Sequence, residues 1–519
     1  MPHRERHPVT AALQKVAAQQ KTQHKAAQQK SHQPAQPRAV VVGGGVAGLV
    51  AARELARQGL DVAVLEASAA FGGCVARHEV AGLMLDAGAE SFATRSSVVA
   101  DLAGELGLGG SIVAPNPAGA WLQLPESAQP LPKTSVVGIP ADPAGADIVK
   151  AIGRRASLRA AADKVLPLGT LLRKEPLSLG ELVRTRMGSA VLERLVTPVA
   201  AGVYSADPDV LDVDSVVPGL RAAVVRHGSL GAAVGALRGA APAGAAVAGI
   251  AGGMGLLVEH LVKDLKDRGV RLYTDAKVSG LERRDGGWRV ASAAGDFSPA
   301  GLVVATDGVS AVRLLAGSLP GLEAAEPAPG PAVALVTLVV DLPELDAAPR
   351  GTGLLVAPGV AGVRAKALTH ATAKWPWLAA EAGPGNHVLR LSYGRAAGQH
   401  APEAEAFEDF TSWPDEQLCA QALADASVLL GLPIGEDDVL GRKVVRWVGA
   451  LPSATLGHRA RVAEVRRLAS GQHGLQLAGA WLAGTGLAAV VGDARQRARL
   501  LAEDLGAGTA PEGAPADSP

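Results

Sequence analysis

Gly43, Gly45 and Gly48 stand at G-x-G-x-x-G spacing, and Glu66 follows them by roughly 20 residues. These residue types at this spacing suit a dinucleotide. The first glycine permits a tight turn, the second lets a pyrophosphate approach the main chain, and the third lets a helix pack closely on a strand. Val46 and Ala47 follow the second glycine. There the unpaired N–H groups and positive dipole end of a helix face the phosphates. The Glu66 carboxylate is placed to accept from ribose hydroxyls.

The elements that must position these residues are legible around them. Ala39-Val40-Val41-Val42 is a β-branched run leading into the glycines. The helix that follows is amphipathic, with Leu49, Ala52 and Ala56 on one side and Arg53, Glu54, Arg57 and Gln58 on another. Val62-Ala63-Val64-Leu65 reads as a second strand, ending at Glu66. Strand, glycine turn, helix and strand with a terminal acid form the opening unit of a Rossmann-like domain rather than a plain turn.

A second glycine pair, Gly72-Gly73, comes soon after and suggests backbone passing close to a ligand. A hairpin is expected around Ala81-Gly82, followed by Leu85-Asp86-Ala87-Gly88-Ala89-Glu90-Ser91-Phe92, with small residues between two acids. Two later stretches return to the same domain. Gly252-Gly253-Met254-Gly255 opens a helix with Leu257, Leu261 and Leu265 on one face, and strands are expected at 271–274, 276–278 and 302–307. Gly474 to Gly479 reads as a strand, and Trp481-Leu482-Ala483-Gly484-Thr485-Gly486-Leu487 leads into a closing helix. Between these returns, residues 141–195 are helical in tendency, residues 231–253 read as a flexible Ala/Gly-rich connection, and residues 310–445 carry strands and one long helix.

Composition bounds the rest. A chain of 519 residues implies two or more domains. Formal net charge is zero, so nothing favours nucleic acid as a partner. Aromatic residues are only 3%, which leaves few for stacking platforms or amine cages. Cys74 and Cys419 are far apart and fit neither a disulfide framework nor a metal site. No apolar run reaches the roughly 18 residues of a spanning helix, so a cytoplasmic setting is expected.

In order and spacing, the glycine fingerprint, the Gly72-Gly73 pair and the 86–92 segment resemble the FAD-dependent protoporphyrinogen/coproporphyrinogen oxidase family, within the monoamine-oxidase-like flavoproteins. Further matches are Leu131-Pro132-Lys133 with Val137-Gly138-Ile139-Pro140, Pro198 with Gly202-Val203-Tyr204-Ser205-Ala206-Asp207-Pro208, and Arg446-Trp447, Leu451-Pro452 and Gly457-His458. Cys74 departs from the pattern, standing where the family usually carries Lys or Arg.

The resemblance implies an α/β fold: a discontinuous Rossmann-like FAD-binding domain, a mixed β-sheet substrate domain and a helical insert. The expected boundaries are 38–98, 247–310 and 440–505 for the FAD domain, 99–210 for the insert, and 211–246 with 311–439 for the substrate domain. Tails at 1–37 and 506–519 are expected to be disordered. The implied cofactor is FAD, bound without a covalent link. Its expected contacts are Gly43, Gly45, Val46, Ala47, Gly48, Glu66, Gly72, Gly73, Gly88, Ala89, Glu90, Val278, Gly479, Gly484, Thr485, Gly486 and Leu487.

Arg95 and Lys133 are the expected anchors for substrate carboxylates, because guanidinium pairs well with carboxylates and ammonium acts as a point charge. No catalytic residue is assigned, since the cofactor carries the hard step. The implied reaction is oxygen-dependent oxidation of coproporphyrinogen III to coproporphyrin III by hydride transfer to FAD. Protoporphyrinogen IX oxidation, an amine oxidase or desaturase activity, and a non-catalytic FAD-binding role are the alternatives. Peripheral membrane contact and a ferrochelatase-type pathway partner are open expectations of the same resemblance.

Overall fold

Alternate residues of the first strand face opposite ways, and both faces are covered. In a computed structural model that describes residues 38–238, 247–328, 330–394, 409–449 and 454–507, Ala39 and Val41 belong to one core and Val40 and Val42 to another. A strand buried on both faces belongs in a parallel sheet between helical layers. Ala39–Val42 pairs in parallel with Val62–Leu65 on one side and Gly301–Val304 on the other. Arg271–Tyr273 and Leu475–Leu477 complete a five-stranded sheet as its two edges. Its strands come from three separated parts of the chain, so the domain is discontinuous.

The helices Val46–Arg57, Gly255–Asp267 and Leu487–Asp504 cover one face. Leu257, Leu261 and Leu265 are fully buried there, as their spacing predicts. An antiparallel three-stranded sheet (Val278–Arg284, Gly287–Ser292 and Gly295–Phe297) packs on the other face with the helices Gly308–Leu315 and His458–Ser470.

A mixed seven-stranded sheet forms the second layer system. Its strand order is Val439–Trp447, Val333–Asp341, Asn386–Tyr393, Ala367–His370, Gly353–Val356, Trp121–Gln123, Ala128–Pro130. The pairing of Gly353–Val356 with Trp121–Gln123 is parallel, and the others are antiparallel. Leu389, Leu391 and Tyr393 point to one face, where the helix Asp415–Leu430 covers them. Val388 points to the opposite face, against Leu83 and Leu85 of the Leu83–Asp86 strand.

The third body is helical. Leu182, Val191, Leu195, Leu220, Val224, Leu230 and Val234 share its core. The Arg186 guanidinium is 2% exposed and pairs with Asp163 at 2.6 Å. The other Asp163 oxygen accepts from the Gly231 N–H at 2.9 Å.

The structure departs from the sequence reading at several elements. Residues 231–253 are not a uniform connection: Leu230–Arg238 is a helix and Val247–Ile250 a strand, with 239–246 outside the described residues. Leu230, Ala233 and Val234 are fully buried at helical spacing, a signal that the alanines and glycines around them dilute. Gly249 looks like a strand breaker, yet a Cβ there would stand 2.7 Å from the Trp375 ring.

Residues 213–238, grouped with the substrate domain by sequence, pack in the helical body through Asp163 and its core. Trp121–Gln123 and Ala128–Pro130, grouped with the insert, belong to the seven-stranded sheet. So does Val439–Trp447, grouped with the last return to the FAD domain. The expectations for residues 1–37, for 508–519 and for Leu451-Pro452 lie outside the described residues.

Candidate active site

The glycine turn shows a division of labour. A Cβ on Gly48 would lie 1.9 Å from the Gly43 carbonyl oxygen, and one on Gly43 would lie 2.7 Å from the Ala305 carbonyl oxygen. These two glycines are forced by the protein's own backbone. Nothing lies within 4 Å of a Cβ on Gly45, whose φ of −68° any residue adopts. The middle glycine therefore keeps space open for something outside the chain, as a pyrophosphate approach requires. Val46 and Ala47 begin the helix beside it, and its first internal bond runs from the Leu49 N–H to the Gly45 carbonyl. The preceding N–H groups have no intrahelical acceptor and are free to meet phosphate oxygens.

Glu66 sits at the end of its strand against this turn. One carboxylate oxygen accepts from the Gly44 N–H at 2.6 Å, and the other from the Ser68 N–H and hydroxyl at 2.8 and 2.7 Å. Its carbonyl accepts from the Ala276 N–H, two residues before Val278, which is 8% exposed at the start of its strand. Gly72 donates to the Gly44 carbonyl at 2.8 Å and bridges Gly45, and Gly73 comes alongside the same residue. Ala89 donates to the Cys74 carbonyl at 3.0 Å. The structure thus brings the fingerprint, Glu66, the second glycine pair, Gly88 and Ala89 into one continuous set of contacts. Cys74 is solvent-accessible, but partial enclosure pushes its thiol up from the usual range, so it stays protonated at neutral pH.

The last return carries a second set of glycines. Gly479 approaches the Thr306 carbonyl. Gly484 and Gly486 have positive φ (99° and 110°), with nothing within 4 Å of a Cβ at either position. Thr485 lies between them, and Leu487 begins the helix Leu487–Asp504, which packs in the same core as Val46–Arg57. Two helices of one core thus each begin beside a glycine with open space around its backbone. This donor set and these open glycines fit FAD: N–H groups for the phosphates, an acid at the ribose end, and a positive dipole end for a ring that gains negative charge on reduction.

Glu90 differs from its neighbours. It is held by Lys374 and by Arg390, the latter at 2.8 Å. Burial alone would raise its pKa, but these two cations hold it down to about 2. Asp86 accepts from the Met254 and Gly255 N–H groups at 3.1 and 3.2 Å, where the helix Gly255–Asp267 begins. Burial pushes Asp86 up to about 6 against those donors. Lys374, Arg390 and Trp447 were not singled out in the sequence as residues of this site. Two signals were available: Trp447 in the Arg446-Trp447 match, and Arg390 as a charge between Leu389 and Leu391.

Among the described residues, the two expected substrate anchors lie outside this set of contacts. Arg95 is exposed just beyond the Phe92–Ala93 strand, near enough to Tyr204 to oppose the upward push of burial on its phenol. Lys133 is exposed in the loop before Ser135–Val136. Next to Tyr204, Ser205 adopts a left-handed φ of 53° and accepts from Lys366, which is 1% exposed and also donates to the Gly394 carbonyl at 2.7 Å. Among the described residues, no helix is long and apolar enough to cross a membrane, and no cluster of metal-ligating side chains occurs.

A discontinuous Rossmann-like domain set against a mixed seven-stranded sheet, with open glycines at two helix N-termini, defines an FAD-binding oxidoreductase. The flavin containing amine oxidoreductase family matches residues 46–505, and the chain belongs to that family. It is 30% identical over 479 residues to the coproporphyrinogen III oxidase of Mycobacterium leprae (strain TN), covering 90% of this chain and 98% of that one. It is 27% identical over 465 residues to the coproporphyrinogen III oxidase of Bacillus subtilis (strain 168), covering 86% and 94%. Among solved structures it resembles one from Exiguobacterium sp. 255-15 that carries a provisional protoporphyrinogen oxidase name. The TM-score there is 0.76 at 26% identity, covering 91% of this chain and 99% of that one. The protein is an FAD-dependent oxidase.

Proposed function

We propose that this protein oxidises coproporphyrinogen III to coproporphyrin III in haem biosynthesis. The observation that carries the reading is its likeness to coproporphyrinogen III oxidases along nearly their whole length. Bound FAD supplies the two-electron acceptor, with oxygen as the terminal acceptor. Gly45, Val46, Ala47 and Glu66 hold the nucleotide end, and Gly88, Ala89, Glu90, Gly484, Thr485, Gly486 and Leu487 form the backbone around the ring. The N-terminus of the Leu487–Asp504 helix favours the reduced, more negative ring. Arg95 and Lys133 anchor substrate carboxylates, of which coproporphyrinogen carries four and protoporphyrinogen two.

Contact with an anionic membrane surface would fall on the helical body. There Leu158 and Val165 are 74% and 83% exposed in a stretch that also carries Arg154, Arg155 and Lys164. The function is tested by mixing the purified holoprotein anaerobically with coproporphyrinogen III and, separately, with protoporphyrinogen IX. Faster bleaching of the flavin absorbance by coproporphyrinogen is expected. Preference for protoporphyrinogen would reassign the substrate, and no bleaching by either would sink the porphyrinogen reading.

A further inference from the structure

The segment from Asp86 to Glu90 is gripped from both sides. On the nucleotide side, Ala87 donates to the Ala76 carbonyl at 2.8 Å and Ala89 to the Cys74 carbonyl at 3.0 Å. A Cβ on Gly88 would lie 2.0 Å from the Cys74 carbonyl oxygen, so only a glycine there lets the two backbones pack this closely.

The other grip comes from the seven-stranded sheet. Arg390 lies on Asn386–Tyr393, and strand alternation puts it on the same face as Val388, toward Leu85 and away from the covering helix. One arm of its guanidinium donates to the Gly88 carbonyl at 2.8 Å and reaches the Asp86 carbonyl at 3.4 Å, and the other arm meets Glu90 at 2.8 Å. The Trp447 indole N–H donates to the Ala87 carbonyl at 2.9 Å. Three successive carbonyls are therefore each held by a side chain from the substrate sheet, within a site that is largely excluded from water.

We propose that Arg390, with Trp447, is a positioning residue: from the substrate sheet it fixes the backbone at 86–90 on which the flavin ring rests. The proposal builds on the reading of Gly88, Ala89 and Glu90 as flavin contacts. A simple counter-charge for Glu90 would need no fork, and Lys374 already supplies one cation. The guanidinium spans two carbonyls and a carboxylate at fixed angles, which an ammonium point charge does not reproduce. Through this contact, the layer that holds the substrate also sets where the ring lies.

The test uses the full-length holoprotein with Arg390→Lys and Trp447→Phe. The lysine keeps the charge beside Glu90, and the phenylalanine keeps the ring packing while removing one donor. Readouts are the FAD dissociation constant, the flavin absorption bands, the reduction potential of the bound flavin and thermal unfolding. Arg390→Lys is expected to weaken FAD binding about tenfold, the equivalent of one well-placed hydrogen bond, and to shift the bands and the potential. Trp447→Phe is expected to move the same readouts in the same direction by less, and it carries the test if Arg390→Lys does not fold. Wild-type spectra, potential and affinity in both variants, or in Trp447→Phe when it alone folds, would overturn the inference and leave the cofactor assignment standing. A wild-type chain that binds no FAD would overturn both.

Discussion

The Glu66 carboxylate accepts from the Gly44 N–H at 2.6 Å, tying the end of the second strand to the turn after the first. Its other oxygen is taken by two donors from Ser68. An amide at this position has one accepting atom and one donating group. Whichever way it turns, its NH2 faces a donor, either Gly44 or Ser68. Glu66→Gln should therefore cost about 1–3 kcal/mol at the turn that meets the pyrophosphate. The expected result is FAD binding weaker by about 5- to 150-fold in titrations of the apoprotein followed by flavin fluorescence. An affinity within twofold of wild type would remove Glu66 from the nucleotide site.

Gly45 and Gly48 look alike in the motif and should respond oppositely to alanine. A methyl group on Gly45 meets nothing within 4 Å, so Gly45→Ala should fold with stability within about 0.5 kcal/mol of wild type. It should nonetheless lose FAD affinity, because the methyl fills the space kept for the phosphates. A methyl group on Gly48 lies 1.9 Å from a backbone oxygen that cannot move aside. Gly48→Ala should be destabilised by about 1–3 kcal/mol or more even without cofactor. Denaturant unfolding of both apoproteins separates the cases, and equal stability of the two variants would contradict this account.

What could be read in advance was local. The strand, turn, helix and strand from Ala39 to Glu66 are contiguous, and each signal lies within a few residues of the next. Val333–Asp341 was likewise legible from its β-branched run, and the hairpin at Ala81-Gly82 from its turn residues. The grip on Glu90 was not, because Lys374 reaches it across 284 residues, and Arg390 reaches the Gly88 carbonyl across 302. No periodicity reports such a pairing. The strand Val439–Trp447 shows the same limit: its half-exposed residues look like part of the adjoining nucleotide segment until its partner Val333–Asp341 is known. The helix Leu230–Arg238 was hidden for a different reason, since alanine and glycine carry little contrast between its faces.

Arg95 and Lys133 are exposed and, among the described residues, stand outside the contacts of the nucleotide cradle, so their removal should spare the fold and the cofactor. If they anchor substrate carboxylates, they bind substrate and transition state alike, and such uniform binding appears in KM. Arg95→Ala should raise the KM for coproporphyrinogen about tenfold with kcat within about threefold, given the worth of a charged hydrogen bond. Lys133→Ala should do the same more weakly. Both effects should shrink as salt is raised. Unchanged KM in both variants would send the search for carboxylate anchors elsewhere in the cleft.

Asp86 and Glu90 are four residues apart in one buried segment and should give stability opposite dependences on pH. Burial pushes Asp86 up to about 6 in the folded chain, above the 3.8 of a free aspartate. Its contribution is fully present below about pH 3.8 and is lost as pH rises through 6. Arg390 and Lys374 outweigh burial at Glu90 and hold it at about 2, below its ordinary 4.5. Its contribution is present above about pH 4.5 and is lost as pH falls through 2. Each shift corresponds to about 3 kcal/mol, since one pKa unit is about 1.4 kcal/mol. The stability of wild type relative to Asp86→Asn should therefore fall between pH 4 and 7, and that relative to Glu90→Gln should fall between pH 4.5 and 2. Urea unfolding of the three proteins across this range gives both differences. A flat difference between wild type and Asp86→Asn from pH 4 to 7 would mean that the Met254 and Gly255 N–H groups already compensate the buried carboxylate in full.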